Sequence, residues 1–346
     1  MRAPVFNAFE EVLIVVPTLN EADHIETVIT SLLEDAPART RLVVADGGST
    51  DATPLIVEQM HDPRIHFVHN PRRIQSAAIN LAVATKGDGA THLLRADAHA
   101  QYPRGFLRIL MEDMRSTNAT AVTVAMTTLA NKGFSAGVAA AQNSRLGTGA
   151  AAHRTGLGGR FIDHGHHALI RMDAFRAVGG YDACQSHNED AEFDYRLTRN
   201  GGRIWLSGRT EIGYHPRQTP KALFLQYLRF GAGRAETMRK HGLMPRLRQL
   251  LPMLVAPAVA LALIALGPAL LTRSWVWGAM LFPAGLWIVL CLGYGVALAV
   301  AARRLAVLWA GPAAMLMHLA WSIGFQWRIA MRAASSKAVG ATVTRL

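Results

Sequence analysis

The most constraining feature of this sequence is its last third, where long apolar runs occur without any acidic residue. From position 237 to the last residue there is no aspartate or glutamate. Residues 250–271, 275–301 and 305–327 form three apolar runs, each close to or above the ~20 residues with which a helix crosses a bilayer. Such runs must be buried in lipid or in a protein interior, and the absence of acids favours lipid.

The positive charge of the chain lies on the flanks of these runs. The formal net charge is +12, and eleven lysines and arginines follow position 237. They are Arg239, Lys240, Arg246, Arg248, Arg273, Arg303, Arg304, Arg328, Arg332, Lys337 and Arg345. Cations beside apolar runs are typical of contact with anionic lipid headgroups. We therefore expect membrane lipids as a partner and no nucleic acid. Three spans would export the basic tail, so we expect at least two spans and leave the third open.

The first two thirds of the chain alternate strand-like and helix-like patterns. Residues 12–16 form a short apolar run that ends at Pro17, and a helical periodicity follows from Ile25 to Leu33. Residues 42–45 and 65–68 repeat the apolar run. Such βα units predict an α/β fold with a doubly wound, mostly parallel sheet, whose ligands gather at the carboxyl ends of the strands. Residues 131–165, rich in Gly, Ala and Ser, are predicted to be irregular.

Residues 91–95 resemble a further strand, and acidic residues follow both this strand and the strand over 42–45. Asp46 precedes small residues that allow close approach of a ligand, and its carboxylate can bind a base or ribose; a turn-forming acid is the alternative. Asp97 and His99 are two residues apart, so in extended backbone they point to the same side. An oxygen and an imidazole in this arrangement suit a divalent cation, although a turn acid beside a solvent-facing histidine is the commoner origin of such a pair.

A second group of acids opens a predicted helix at Glu189 and Asp190. Acids at a helix N-terminus usually complement the helix dipole, which explains Glu192 and Asp194 well. The whole cluster is denser than that role requires. Mutual repulsion of so many carboxylates favours a binding or proton-transfer task.

Together these motifs resemble the inverting family 2 glycosyltransferases with a GT-A fold. The resemblance covers roughly residues 10–235 and rests on VPTLNE at positions 16–21, DGGSTD at 46–51, DAH at 97–99 and ED at 189–190. It implies that Asp190 is the general base, with Glu189 beside it. It implies a nucleotide-sugar site made of Pro17, Thr18, Asn20, Glu21, Asp46, Gly47, Arg73, Asp97, Gln226 and Arg229.

The resemblance also implies a metal ion and an acceptor site. Mg²⁺ or Mn²⁺ would bind at Asp97 and His99, and the acceptor would contact His166, His167, Gly180 and Tyr181. Two departures from the family pattern matter. His99 replaces the second acid of the family's Asp-x-Asp, and Phe230 replaces the tryptophan of a Gln-x-x-Arg-Trp element, which argues against a processive polymer exporter.

Within the family the chain most resembles the succinoglycan-type exopolysaccharide glucosyltransferases, in which DHGHH, GGYD and HNED occur together, here at 163–167, 179–182 and 187–190. The resemblance implies transfer of glucose from UDP-glucose onto a polyprenyl-diphosphate-linked sugar. The expected partners are therefore a UDP-sugar donor and a lipid-linked saccharide acceptor. A polyprenyl-phosphate sugar transferase of the dolichyl-phosphate-mannose-synthase type and a non-catalytic membrane scaffold are the alternatives.

These expectations divide the chain into four parts. A GT-A catalytic domain is expected over residues 1–221, an amphipathic interface helix region over 222–249, membrane-associated helices over 250–330 and a basic tail over 331–346. The N-terminus has Glu10 and Glu11 before a short apolar run, unlike a secretory leader. We expect the catalytic domain on the cytoplasmic face of the inner membrane.

Overall fold

The computed structural model describes residues 10–34, 36–149, 158–245, 247–272 and 274–343. The chain divides into two compact units. The first unit comprises Met1–Thr127 and Ala152–His215, and the second comprises Thr128–Ala151 and Pro216–Leu346.

The first unit is a layered α/β structure. Its strands are β1 (Val12–Thr18), β2 (Arg41–Asp46), β3 (Ile65–His69), β4 (His92–Arg95), β5 (Ala100–Gln101), β6 (Ala121–Thr128), β7 (Arg160–Ile162), β8 (His166–Arg171) and β9 (Ile204–Tyr214). Its helices are α1 (Ile25–Leu33), α2 (Thr53–Gln59), α3 (Gln75–Lys86), α4 (Phe106–Thr117), α7 (Met172–Ala177) and α8 (Glu189–Arg199). The α/β fold class predicted from the sequence is confirmed.

The nine strands of the described residues form one sheet in the order β3-β2-β1-β4-β8-β6-β9-β5, with β7 beside β9. β1 pairs in parallel with β2 and β4, and β2 pairs in parallel with β3. β8 then pairs antiparallel with both β4 and β6. The sheet is therefore mixed, and the expectation of mostly parallel strands holds for its first four strands only. The reason is that β8 enters the sheet in the reverse direction between β4 and β6.

The central strand β1 is buried on both faces. Val12, Ile14 and Val16 belong to one core cluster, and Leu13 and Val15 belong to the other. All five are fully buried. Because successive side chains of a strand point to opposite faces, this run of β-branched and aliphatic residues needs helices on both sides of the sheet. The sequence run that predicted a buried strand thus forms the middle of the domain.

The second unit is helical. It contains α5 (Gly133–Gln142), α6 (Arg145–Thr148), α9 (Pro220–Lys240), α10 (Leu247–Thr272), α11 (Trp275–Ala302), a short 3₁₀ helix (Leu305–Trp309) and α12 (Ala310–Val343). The prediction of irregular structure for residues 131–165 is wrong where α5 and α6 form. The sequence did not predict α5, because its small residues give little hydrophobic periodicity. One of them, Gly137, must be small because the helix backbone lies close to Trp309 at this position. Residues 150–157 of that segment lie outside the described part of the chain.

Three helices of the second unit are long and apolar enough to cross a membrane: Gln249–Thr272, Trp275–Ala302 and Leu305–Met331. They coincide with the three apolar runs of the sequence. The third differs from the others, because 44% of its apolar window is buried inside the protein, against 11% for the first. The last helix therefore presents much less apolar surface to its surroundings. The four-part domain division stays a prediction.

α9 and α12 pack with their backbones close together. A Cβ atom added at Gly324 would collide with the carbonyl oxygen of Leu228, and one added at Gly231 would collide with that of Trp321. Glu236 of α9 accepts a hydrogen bond from Arg328 of α12 at 2.9 Å. Small residues permit this approach, in which van der Waals contact between helices replaces the burial of large side chains.

We expect Gly324→Ala to destabilise this helix pair by about 1–3 kcal/mol, because the added methyl group has no room against the Leu228 carbonyl. The thermal unfolding midpoint of the detergent-purified protein would report the loss. Gly285→Ala is the matched control, since a Cβ built at Gly285 in α11 has no atom of the described residues within 4 Å, apart from its chain neighbours and the adjacent backbone of the same helix. Its midpoint should stay at or slightly above the wild-type value. Equal midpoints for Gly324→Ala and the wild type would contradict the close packing.

Candidate active site

The carboxyl ends of β1 and β2 lie side by side. Their parallel register places Thr18 next to Asp46, and Pro17 next to Ala45. The two loops that follow are joined by hydrogen bonds. The Asn20 N–H donates to Ser49 Oγ at 2.8 Å, and the Thr50 N–H donates to Asn20 Oδ1 at 2.8 Å. The sheet register and these hydrogen bonds together hold the VPTLNE and DGGSTD motifs at one edge.

Asp46 shapes the turn that follows it. It is buried, and its Oδ2 accepts hydrogen bonds from the N–H groups of Gly48 and Ser49 at 2.8 and 2.9 Å. The Ser49 hydroxyl donates to Oδ1. The turn-forming alternative considered for Asp46 therefore describes its contacts within the protein. Any contact of Asp46 with a nucleotide stays a prediction.

Arg73 is adjacent to this turn. Gly48 has a φ of +86°, and a Cβ there would lie 3.3 Å from a guanidinium nitrogen of Arg73. A Cβ at Gly47 would lie 3.5 Å from the Arg73 Cα. Seven of the predicted nucleotide-site residues thus lie at this edge of the sheet, namely Pro17, Thr18, Asn20, Glu21, Asp46, Gly47 and Arg73.

Asp97 and His99 follow the end of β4, the next parallel strand. Asp97 Oδ1 accepts a hydrogen bond from Gln75 Nε2 at 2.8 Å, and His99 Nδ1 lies 2.9 Å from Glu21 Oε1. Mg²⁺ and Mn²⁺ prefer oxygen ligands, so the Asp97 carboxylate suits such an ion. The His99 imidazole is a less usual ligand for Mg²⁺. Gln75 thus holds the Asp97 side chain in place, and Glu21 holds the His99 side chain.

A buried ion-pair cluster lies between β4 and the start of α8. The Arg95 guanidinium is 3.2 Å from Glu189 Oε1 and 3.7 Å from Asp190 Oδ2. The side chains of all three residues are exposed by only 5–8%. One buried cation therefore serves two buried carboxyl groups, and two ionised carboxylates would leave a net negative charge in the core.

The environment separates the pKa values of the two carboxyl groups. Burial raises the pKa of Glu189 to about 7, assisted by Asp190 and opposed by Arg95. Burial would also raise the pKa of Asp190, but His166, His164 and Arg95 hold it well below its usual value. At neutral pH Asp190 is thus the ionised member. Pairs of titratable groups with separated pKa values are typical of acid–base sites.

Two histidines face the acids of α8. His166 Nε2 is 2.8 Å from Asp190 Oδ2, and His164 Nδ1 is 2.7 Å from Asp194 Oδ2. Within the described part of the chain, the ligand atoms of His164, His166 and Asp190 all lie within 4.8 Å of one another. The sequence analysis proposed an acceptor contact for His166, and the structure places that imidazole beside the predicted base. The side chain of His167 lies outside the described part of the chain.

Gly180 and Tyr181 are part of the core. The Tyr181 ring is 4.7 Å from the Phe193 ring, and the Arg95 guanidinium lies 5.8 Å from the Tyr181 centroid. Asn80 donates to the Tyr181 carbonyl at 2.7 Å and accepts from its N–H at 2.9 Å. Tyr181 thus packs against Arg95, the cation of the ion-pair cluster. The predicted contact of Gly180 and Tyr181 with an acceptor stays a prediction.

Gln226 and Arg229, the remaining predicted nucleotide-site residues, belong to α9 of the second unit. Their assignment also stays a prediction.

Two residues of the site, Arg95 and Gln75, were not predicted from the sequence, and Asp194 was predicted only as an acid that complements the helix dipole. Arg95 was read only as the end of a strand. A signal was available, because an arginine in the run Leu93-Leu94-Arg95-Ala96 interrupts an otherwise apolar buried strand and needs a carboxylate partner. No comparable signal marks Gln75, whose importance depends on the position of Asp97.

Comparisons with known proteins identify the family and the fold. Residues 13–179 match the family described as Glycosyl transferase family 2. The chain is 50% identical over 319 residues to succinoglycan biosynthesis protein ExoA of Rhizobium meliloti (strain 1021), covering 91% of this chain and 94% of that protein. It also resembles the structure of mannosyltransferase PcManGT from Pyrobaculum calidifontis in complex with GDP-Man and Mn²⁺. That likeness has a TM-score of 0.59 at 19% identity over 92% of this chain and 87% of the other, and it concerns the fold.

We expect Glu189→Gln to change how stability depends on pH. The folded state holds the Glu189 proton up to a pKa of about 7, whereas the usual value is 4.5. The stability that this proton contributes is complete below pH 4.5 and is lost as the pH rises through 7, by about 3 kcal/mol in total. Glutamine removes this loss. The unfolding midpoint of Glu189→Gln, relative to wild type, should therefore rise from pH 5 to pH 8.

Glu58→Gln, at an exposed position in α2, is the control and should differ from wild type by a constant amount over the same range. A constant or falling difference for Glu189→Gln would contradict the raised pKa of Glu189.

Proposed function

The chain belongs to glycosyl transferase family 2, and on this premise we propose that it is an inverting hexosyltransferase. The proposed reaction moves glucose from UDP-glucose onto a polyprenyl-diphosphate-linked sugar during assembly of an exopolysaccharide repeat unit. The proposal for the pathway is supported by the identity with a protein named for succinoglycan biosynthesis.

The observation that supports this function best is the pair of carboxyl groups beside Arg95. Asp190 is ionised at neutral pH, whereas Glu189, whose pKa is raised to about 7, is still protonated in about half of the molecules at that pH. A carboxylate that stays ionised in a buried site is available to accept a proton, and a neutral carboxyl group can donate a hydrogen bond. The two groups therefore suit the activation and orientation of one acceptor hydroxyl group.

In the proposed mechanism, the acceptor oxygen attacks the anomeric carbon while the bond from that carbon to the UDP oxygen breaks. Asp190 takes the hydroxyl proton as the new carbon–oxygen bond forms. The low pKa of Asp190 makes it a weak base, so proton transfer must accompany bond formation, when the hydroxyl group becomes acidic. General base assistance of this kind contributes ~10²–10⁴ in rate.

On the donor side, the fixed loops at the ends of β1 and β2 are proposed to hold the nucleotide, with Arg73 near the diphosphate. Asp97 and His99 are proposed to hold a divalent ion, Mg²⁺ or Mn²⁺. When bound, such an ion neutralises the charge that builds on the departing diphosphate. Gln75 and Glu21 would orient its ligands through the hydrogen bonds described above.

The second unit is proposed to attach the enzyme to the inner membrane. α10 and α11 expose large apolar side chains along their lengths, which suits lipid contact. Lys and Arg residues flank these helices, and the positive-inside tendency supports a cytoplasmic position for the first unit. This position would bring a water-soluble donor and a lipid-linked acceptor to the same membrane face.

We expect Asp190→Asn to abolish transfer, by at least ~10² in rate, while binding of the UDP-sugar stays within about twofold of wild type. The reason is that asparagine keeps the size of the side chain but cannot take the proton. Isothermal titration with the donor and a transfer assay on detergent-purified protein would separate the two effects. Asp173→Asn is the control, because Asp173 is an exposed residue on α7 whose side chain pairs with Arg171.

Equal loss of binding and transfer in Asp190→Asn would contradict the base role. Undiminished biological function in cells that carry Asp190→Asn, although that variant has lost transfer, would instead support the scaffold alternative. Donor and acceptor are tested by offering UDP- and GDP-sugars together with lipid-diphosphate-linked sugars or a lipid monophosphate, with and without a chelator. Product formed only on the lipid monophosphate would favour the polyprenyl-phosphate sugar transferase.

A further inference from the structure

The histidines that face α8 form a group distinct from the Asp97 and His99 pair. His164 lies two residues before His166, the first residue of β8, so the two histidines are separated by one residue and lie on the same side of extended backbone. Their rings are 5.6 Å apart. Gly165 between them has no room for a side chain, because a Cβ there would collide with Thr123 of β6. The close approach of these strands therefore fixes where both imidazoles lie relative to α8.

The His166 and Asp190 side chains lie within hydrogen-bond distance, but the angles at the two atoms are not those of a hydrogen bond. Nε2 and Oδ2 are 2.8 Å apart, yet the buried Oδ2 atom has no hydrogen-bond partner in the described structure. The Asp190 side chain is only 8% exposed. Two ligand atoms that bind one ion at ~2.1 Å are about 3.0–3.4 Å apart. The observed separation of Nε2 and Oδ2 is a few tenths of an ångström below this range, so a small outward shift of the two side chains would let both atoms bind a common metal ion.

The Asp194 carboxylate orients the His164 imidazole. Its Nδ1 lies 2.7 Å from Asp194 Oδ2, which also accepts the Gly165 N–H at 3.1 Å. A carboxylate can only accept, so the proton of neutral His164 is on Nδ1 and the lone pair is on Nε2. A carboxylate that orients a histidine through the nitrogen opposite the metal is a common arrangement in zinc sites.

We propose that His164, His166 and Asp190 bind a zinc-class divalent cation, and that this binding removes Asp190 from the transfer reaction. Two imidazoles and one carboxylate form the three-ligand set of many zinc sites, in which water takes the fourth position. Mg²⁺ prefers oxygen ligands and would not compete well here. The second half rests on the proposed function, because a metal ion on Oδ2 occupies the lone pair that accepts the acceptor proton.

Binding is tested first, without reference to activity. The chelator-treated full chain in detergent is titrated with Zn²⁺ by calorimetry, and Co²⁺ is added in place of Zn²⁺ to record its visible absorption. We expect Zn²⁺ binding and a Co²⁺ spectrum in the wild type and in Asp97→Asn. His164→Gln and His166→Gln should each lose both signals.

Asp194→Asn should weaken Zn²⁺ binding about 10–100-fold while leaving the three ligands in place. His61→Asn is the control, because His61 is exposed and has a positive φ that asparagine tolerates. Thermal unfolding of each variant checks that it is folded. If His164→Gln is poorly folded, Asp194→Asn alone tests the site. Unchanged Zn²⁺ binding in folded His164→Gln, His166→Gln or Asp194→Asn overturns the proposal, as does loss of binding in Asp97→Asn.

The effect on transfer is tested second, in excess Mg²⁺. Zn²⁺ should inhibit the wild type over the concentrations that fill the site, and a chelator should reverse the inhibition. The Zn²⁺ concentration that halves the rate of His164→Gln, relative to its own zinc-free rate, should rise at least tenfold. Zn²⁺ binding without inhibition would overturn the second half only. Transfer by Asp190→Asn would overturn the proposed function and leave the binding result unaffected.

Discussion

Arg95 is a cation buried between two carboxyl groups, and the geometry of the candidate active site depends on it. A buried charge without a partner is very unfavourable, and removal of one member of such a pair typically costs about 3–5 kcal/mol. Arg95 therefore holds the start of α8 against the end of β4. Burial raises the pKa of Glu189 to about 7, whereas His166, His164 and Arg95 hold the pKa of Asp190 well below its usual value. The same contact thus fixes a helix and divides two similar side chains into different chemical states.

The parallel half of the sheet supplies the second constraint. β1, β2 and β4 end at the same edge, so residues that follow three separate strands become neighbours. The hydrogen bonds of Asn20, Ser49 and Asp46 then lock the loops. Many hydrogen-bonding groups of these side chains are thus already bonded to other groups of the protein. A nucleotide would meet a preformed surface of backbone groups and side chains whose positions are already set.

The helical unit is built on a different principle. Its helices α10 and α11 are apolar on most sides, so the burial of large side chains cannot by itself specify how the unit packs. Close packing at Gly231 and Gly324 makes the contact between α9 and α12 specific. Glu236, the last acidic residue of the chain, pairs with Arg239 and Arg328 and reinforces that contact. α10 and α11 have no comparable burial in the described structure, which agrees with lipid as their surroundings.

The sequence by itself determined the local features of this protein. Apolar runs predicted β1 to β4 and the three long helices, and motif order indicated the family, because each of these signals lies within a short stretch of sequence. The helix α5 escaped prediction because alanine and glycine carry no periodic signal. Only the tertiary structure decided the partners of the acids. Arg95 and Glu189 are 94 positions apart, and His164 meets Asp194 across 30. Such pairs depend on the order and direction of strands in the sheet, above all on the reversed β8, and no local pattern encodes that order.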